Sequence, residues 1–404
     1  MCGFLVYKLK GINNYIKRRG PDLTTEVKKG GFTFIHNLLH VTGELTPQPY
    51  IDGDIVCLYN GEIYNHKYER SDGENLIPLY KKYGVDFPKY LDGEWAIALY
   101  DFNKGVAIFA TDLFATKPIW RKGLECGSYE SGVGGYKIPA NTIEIVHFKG
   151  TEDQKEIHKW DLNQYKNSYD DWIKAFEEAV TKRATPGCFI GLSSGFDSGA
   201  IACALLKQNM DFKAFIIEAR ENPNVLKARM KLLNDYEYMD HTVSFRVERD
   251  WVARNIEDFT YKLKTKKSFK EDSASLGLSK ICRHARAEGR KVYLSGQGSD
   301  EIIADYALYP YQSTFKGTFP EKLTLWENFY EGAQYSYLGK EEYVAGSHGI
   351  ETRYPFLDKK VVQEFLWLTP ILKNKYYKAP VHEYLTRNHF PFEEGVKIGL
   401  SHLK

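Results

Sequence analysis

The sequence predicts a two-domain α/β chain: a strand-rich first domain over residues 1–150, and a second over residues 165–404 built on a doubly wound parallel sheet with a helical C-terminal part. Length is the first reason. The chain has 404 residues, and single hydrophobic cores rarely grow past ~250 residues. The second is a change of grain. Up to about residue 148, short runs of β-branched and aromatic residues are separated by Gly, Asp and Asn. The third is that, beyond residue 167, short apolar runs alternate with helical stripes, which is the pattern of parallel sheets.

In order, residues 31–39, 54–59, 94–101 and 106–111 read as strands. Residues 74–83 read as a helix with Leu76, Ile77 and Tyr80 on one side. Residues 149–167 are polar, without apolar periodicity, and read as a linker. Residues 169–182 then carry Trp172, Ile173, Phe176 and Val180 at helical spacing. The apolar run 188–192 reads as a buried strand, followed by a Ser/Gly loop and a helix through 200–206. Two more short strands are expected at 212–218 and 291–295, and mostly helix beyond 305.

Composition excludes several functions. The formal net charge of +2, from 55 basic and 53 acidic side chains, gives no electrostatic case for nucleic acid or a membrane surface. The six cysteines are widely and irregularly spaced, with no C-x-x-C pair, so a zinc or redox motif is not expected. No apolar stretch approaches the ~18 residues of a membrane span, and the apolar run at the start is too short for a signal peptide. A cytoplasmic enzyme in a reducing compartment is expected.

Cys2 follows the initiator Met. Loss of Met1 would leave a thiol beside a free α-amine, whose reference pKa of ~7.7–8.0 suits it to accept the thiol proton. Cysteine at a second position is often chance. Three further segments change its weight: Arg18-Arg19-Gly20-Pro21-Asp22, Asn60-Gly61-Glu62-Ile63-Tyr64-Asn65-His66, and Ser71-Asp72-Gly73-Glu74. Each alone has a plain reading, Asn60-Gly61 as a hairpin turn for instance. Together and in this order they resemble the glutaminase domain of class II glutamine amidotransferases, in the version found in asparagine synthetases. The resemblance implies an N-terminal Ntn-type α-β-β-α sandwich with Cys2 as nucleophile and Asn60 and Gly61 as oxyanion donors. It implies glutamine binding by Arg19, Asn60, Gly61, Glu62 and Asp72, with Arg19 suited to the α-carboxylate and Asp72 and Glu62 to the ammonium. Residues 111–120 also resemble a family segment, with Ala115 where the family more often has Gly.

Gly191-Leu192-Ser193-Ser194-Gly195-Phe196-Asp197-Ser198 sits between a strand and a helix. There, backbone N–H groups and the helix N-terminus favour phosphate. It lacks the lysine of the kinase-type nucleotide loop. It resembles the Ser-Gly-Gly-x-Asp-Ser loop of ATP pyrophosphatases, with Ser194 for the first Gly. A positive φ at Ser194 would be costly. Ser295-Gly296-Gln297-Gly298-Ser299-Asp300-Glu301 resembles the Ser-Gly-Glu-Gly-Ser-Asp-Glu segment of the same family, with an amide, Gln297, in place of a carboxylate. Residues 349–358 resemble a third family segment, in which Glu351 and Arg353 read as a structural ion pair.

The resemblance implies an ATP pyrophosphatase domain. It places ATP on Gly191, Ser193, Ser194, Gly195, Asp197, Ser198, Ile217, Ser295, Gly296 and Lys397, and Mg²⁺ on Asp197 and Asp300. The implied activity is amidation of a carboxylate through an acyl-adenylate, aspartate first, with ammonia carried from the glutaminase through a tunnel and a homodimer as the compatible assembly. Two alternatives stay open. Gln297 and a chain shorter than family members that make asparagine fit a different carboxylate. A decayed synthetase would leave a glutaminase or glutamine sensor.

Overall fold

The computed structural model describes residues 2–217, 221–239, 245–263, 268–307 and 311–394. The chain divides into two compact units, Met1–Lys159 with Gly346–Ile350, and Trp160–Ala345 with Glu351–Lys404.

The first unit holds two six-stranded antiparallel sheets. One runs Tyr136–Lys137, Trp120–Lys122, Glu125–Gly127, Gly3–Tyr7, Phe32–Leu38, Leu23–Lys29. The other runs Glu152–Glu156, Thr142–His147, Val106–Thr111, Gly93–Asp101, Ile55–Ile63, Tyr50–Asp52. Strand alternation builds the layers. Along Gly93–Asp101, Ala96, Ala98 and Tyr100 enter a core shared with Phe4, Val6, Phe32 and Phe34 of the first sheet. The intervening Trp95, Ile97 and Leu99 face the opposite way and pack with Leu76, Ile77 and Tyr80 of the helix Leu76–Tyr83. Beyond the first sheet, Ile16 of the short helix Ile16–Arg19 packs on Gly3. The result is the expected order of helix, sheet, sheet, helix.

The expected linker is corrected in part. Residues 152–156 form an edge strand paired with Thr142–His147. Its side chains are mostly exposed, so its backbone pairing leaves no apolar period to read. Ala115 has φ of +51°, a conformation that glycine adopts without strain, which accounts for the glycine more often found there in the resembled family.

The second unit holds a five-stranded sheet, all parallel, in the order Tyr236–Met239, Phe212–Ile217, Cys188–Gly191, Val292–Leu294, Glu351–Arg353. The chain winds outward from Cys188–Gly191 in one direction, then returns to its other side at Val292–Leu294. The switch point therefore lies between these two strands, and ligands bind at the carboxyl ends beside such a point. Glu351–Arg353 is a strand within the region expected to be mostly helical. It is polar yet buried, because Glu351 and Arg353 pair at 2.8 Å and are 3% and 2% exposed.

Candidate functional site

In the first unit, Cys2 immediately precedes the strand Gly3–Tyr7. Phe4 and Val6 face Val56 and Leu58 across the two-sheet core. By the two-residue period Cys2 shares a strand face with Phe4 and Val6, and Asn60 shares one with Val56 and Leu58, so both continue rows of that core. The Cys2 thiol lies 3.8 Å from the Leu39 carbonyl oxygen. Asn60 is fully buried, and neither its Oδ1 nor its Nδ2 has a hydrogen-bond partner among the described residues. Buried amides are normally satisfied, so these two atoms are available to a substrate.

Gly61 has φ of +140°, and a Cβ there would stand 1.9 Å from the Glu94 carbonyl oxygen. Glycine is what lets the strand Ile55–Ile63 run this close to its neighbour. Asp72 Oδ2 accepts the Ile63 N–H at 2.8 Å and the Tyr59 hydroxyl, tying the 71–75 turn to this strand. Glu62 Oε1 accepts the Thr42 hydroxyl at 3.0 Å. Tyr50 sits among these groups. Its hydroxyl is 3.0 Å from Ser71 Oγ, and burial raises its ionisation, with the Asp72 and Cys2 charges adding to the rise. Arg19 is fully buried. Its Nε donates to the Cys2 carbonyl at 2.9 Å and its Nη1 to the Tyr129 hydroxyl at 2.9 Å. Cys57, Cys126, Cys188, Cys203 and Cys282 are all unpaired thiols whose ionisation burial pushes up, which leaves them inert.

In the second unit the 191–198 loop follows the strand Cys188–Gly191 and opens the helix Phe196–Lys207, with Gly195 as N-cap. Serines brace it. Ser193 N–H donates to Ser198 Oγ at 3.1 Å, and Gly195 N–H to Ser193 Oγ at 3.1 Å. Ser194 has no positive φ, so the expected strain is absent. Its hydroxyl and N–H (2.6 Å) instead donate to the Glu221 carboxylate, and its Oγ accepts the Asn222 N–H at 3.0 Å. Arg229 lies fully buried beneath the loop, donating to the Gly195 and Ser193 carbonyls.

The 295–301 loop meets this one directly, since a Cβ on Gly296 would stand 2.8 Å from Asp197 Cβ. Asp197 and Asp300 converge on one cation, Lys378, whose Nζ lies 2.7 Å from both Asp197 oxygens and 2.8 Å from Asp300 Oδ1. Burial pulls this ammonium down, but the two carboxylates outweigh it and hold it well above the usual range. The Tyr377 hydroxyl donates to Asp300 at 3.0 Å. Two carboxylates around one positive charge, next to an N–H-lined loop, are the donor chemistry Mg²⁺ takes alongside phosphate oxygens, so the residues fit that ion. Gln297 Nε2 donates to Glu301 Oε1 at 2.6 Å, and the Gly298 N–H to Glu301 Oε2 at 3.0 Å. Ile217 ends the adjoining strand Phe212–Ile217 and is buried. Lys397 lies outside the described residues.

Lys378, Tyr377, Arg229, Glu221 and Tyr50 carry no sequence signal of their own. Each is a lone residue far in the chain from the motif it touches. Lys378 adopts φ of +49° at the start of the helix Ala379–Arg387, a conformation visible only in the fold.

Comparison with known proteins finds a family match in each of the two units. Residues 6–130 match the family described as Glutamine amidotransferase domain, and residues 172–336 the family described as Asparagine synthase. The chain is similar to asparagine synthetase [glutamine-hydrolyzing] 1 of Saccharomyces cerevisiae, 25% identical over 96% of this chain and 80% of that one. It is also similar to the glutamine-hydrolysing asparagine synthetases of Asparagus officinalis (27% identical, 89% of this chain, 66% of that one) and Mus musculus (27%, 93% and 76%). A solved structure of NMN synthetase from Francisella tularensis matches at a TM-score of 0.26 and 11% identity, over 58% of this chain and 99% of that one, too distant to carry an argument. With a match in each of its two parts and relatives aligned along most of its length, the chain belongs to the glutamine-hydrolysing asparagine synthetase family of carbon–nitrogen ligases.

Proposed function

We propose that this chain takes ammonia from glutamine at Cys2 and uses it to convert an ATP-activated carboxylate, aspartate first, into its amide. The observation that carries the reading is the convergence of Asp197 and Asp300 on Lys378 at the sheet's switch point, where the two Ser/Gly loops touch. Loss of Met1 bares the α-amine of Cys2, which takes the thiol proton as the sulfur attacks the glutamine amide carbon. The Asn60 amide and the Gly61 N–H stabilise the developing oxyanion. Asp72 and Glu62 supply negative charge for the substrate ammonium. Arg19, whose Nε and Nη1 engage the Cys2 carbonyl and the Tyr129 hydroxyl, holds the nucleophile in position, alongside the role at the substrate α-carboxylate expected of it.

In the second unit the N-terminus of the helix Phe196–Lys207 and the hydroxyls of Ser193 and Ser198 hold phosphate oxygens, while the N–H groups of 193–195 brace the loop from within. Bound Mg²⁺ supplies charge neutralisation for the leaving pyrophosphate. Lys378 adds a fixed cation beside it. The acceptor carboxylate attacks the α-phosphorus to give an acyl-adenylate, which ammonia then converts to amide and AMP.

The test is ATP–pyrophosphate exchange across a panel of carboxylates. Aspartate-dependent exchange, lost in Asp197→Ala, is expected. Exchange with a different carboxylate alone would move the acceptor, and Gln297 favours looking for one. No exchange with any would sink the adenylation reading.

A further inference from the structure

Glu341 lies on the helix Gly332–Ser347 and is 7% exposed. Its Oε2 is buried and has no hydrogen-bond partner among the described residues. The Ser295 hydroxyl is close enough to its carboxylate to hold its ionisation down. Ser295 Oγ in turn accepts the Gln297 N–H at 3.0 Å, and the next residue, Gly296, abuts Asp197. So a buried carboxylate with a spare oxygen stands one hydroxyl away from the loop junction. Stability does not ask for it. An unpaired buried carboxylate is costly, and an apolar side chain would fill the same space better.

Amide formation needs a proton acceptor. The nitrogen that bonds the activated acyl carbon becomes positively charged and must lose a proton before the amide is complete. Gln297, in the same loop, is an amide and accepts none. Its side chain is also committed to Glu301 at 2.6 Å.

We propose that Glu341 is the terminal proton acceptor of the amide-forming step, reached through the Ser295 hydroxyl. This rests on the acyl transfer assigned above. As the C–N bond forms, one N–H bond breaks and its electron pair stays on nitrogen. The proton passes to Ser295 Oγ, whose own proton passes to the Glu341 carboxylate. Collapse of the adduct then expels AMP and leaves a neutral amide and a neutral Glu341 carboxyl, which returns its proton to water before the next cycle.

Burial pushes the Glu341 carboxyl up to about 7, against the Lys340 charge and the Ser295 hydroxyl, with Glu301 and Glu342 adding to the rise. A group with that poise both takes and releases protons near neutrality. The groups facing it are Glu301 on the helix Ser299–Ile303, Tyr293 on the strand Val292–Leu294, Cys282 on the helix Ser273–Ala287, and Lys340 and Glu342 on its own helix. Burial pushes the Tyr293 and Cys282 ionisations far up, so both stay neutral near pH 7, and Lys340 pairs with Asp272 at 3.8 Å.

The experiment compares Glu341→Gln and Glu341→Asp with wild type in the full chain. Exchange of pyrophosphate into ATP reads adenylation alone. Amide formation from added ammonia reads the complete step. Glu341→Gln is expected to keep exchange within about threefold while amide formation falls about 100-fold or more. At constant free NH3, the rise in the wild-type amide rate through about pH 7 should vanish with it, and Glu341→Asp should recover part of the rate. In ligand-free protein carrying ¹³C-labelled glutamate, one carboxyl should titrate between about pH 6 and 8, and Glu341→Gln should remove it. Wild-type amide rates in Glu341→Gln, equal loss of exchange and amide formation, or no carboxyl titrating in that range would each overturn the proposal. A wild-type chain that exchanges with no carboxylate would overturn it together with the adenylation reading, a result distinct because it appears before any substitution.

Discussion

Asn60 is the residue at which function and stability part company. Its amide is fully buried and bonded to nothing among the described residues. A side chain kept for the fold would be satisfied there, because an unpaired buried amide costs roughly 1–3 kcal/mol. Asn60→Ala is therefore expected to leave the thermal midpoint unchanged or raise it, while glutamine hydrolysis slows about 10²–10³-fold, the usual loss for one oxyanion donor. Differential scanning calorimetry with a glutaminase assay checks both. A lower midpoint with unchanged hydrolysis would make Asn60 structural. The residues legible from sequence at this scale are those inside short motifs, such as Cys2, Asn60, Asp72, Asp197 and Asp300. Lys378 was not legible, because a lone lysine has no local pattern and its role exists only once the fold brings it to Asp197 and Asp300. Arg19 was legible as a residue of the site, but its orientation toward the Cys2 carbonyl was not.

Elements with an apolar period were readable, and those held by polar groups were not. Gly93–Asp101 alternates between two cores and shows it in its sequence. Glu351–Arg353 is just as buried, but its residues are satisfied by an ion pair, so no apolar run marks it. The same logic holds one turn later at Asp358. Its Oδ1 caps the helix Lys359–Trp367 by accepting the Lys360 N–H at 2.9 Å. Its Oδ2 meets Arg183 Nη1 at 2.7 Å, with Lys182 beside it. Burial works to raise the Asp358 carboxyl, yet the Arg183 and Lys182 cations win and lower it to about 2. A depressed folded pKa stabilises above the unfolded value near ~3.9 and loses that stability as pH falls toward 2, about 2 kcal/mol in all. Asp358→Asn keeps a capping oxygen but removes the negative charge facing the buried Arg183 guanidinium, and is expected to cost about 3–5 kcal/mol at pH 7. Urea unfolding at pH 7 and pH 3 measures both effects. A variant within about 0.5 kcal/mol of wild type at pH 7 would show that the pair contributes nothing net.

At the scale of the whole molecule, chain order makes the second site. Because the parallel sheet starts at Cys188–Gly191 and returns to Val292–Leu294 on its other side, two loops about a hundred residues apart in sequence end side by side. The strand–helix alternation made that sheet legible, and helix was expected beyond residue 305, but no local pattern marked Lys378 or Glu341 there. No helix of the described residues is long and apolar enough to cross a membrane. The central claim is that two chemistries in one chain are coupled: ammonia freed at Cys2 is consumed where Asp197 and Asp300 meet. The most direct measurement is product stoichiometry from purified protein given glutamine, ATP, Mg²⁺ and aspartate, in wild type and in Cys2→Ala. The account expects glutamate, AMP, pyrophosphate and asparagine in equal amounts from wild type. It expects none of the amide from Cys2→Ala with glutamine, and its return when ammonia is supplied. Glutamate without AMP or asparagine, or amide from Cys2→Ala with glutamine alone, would contradict it.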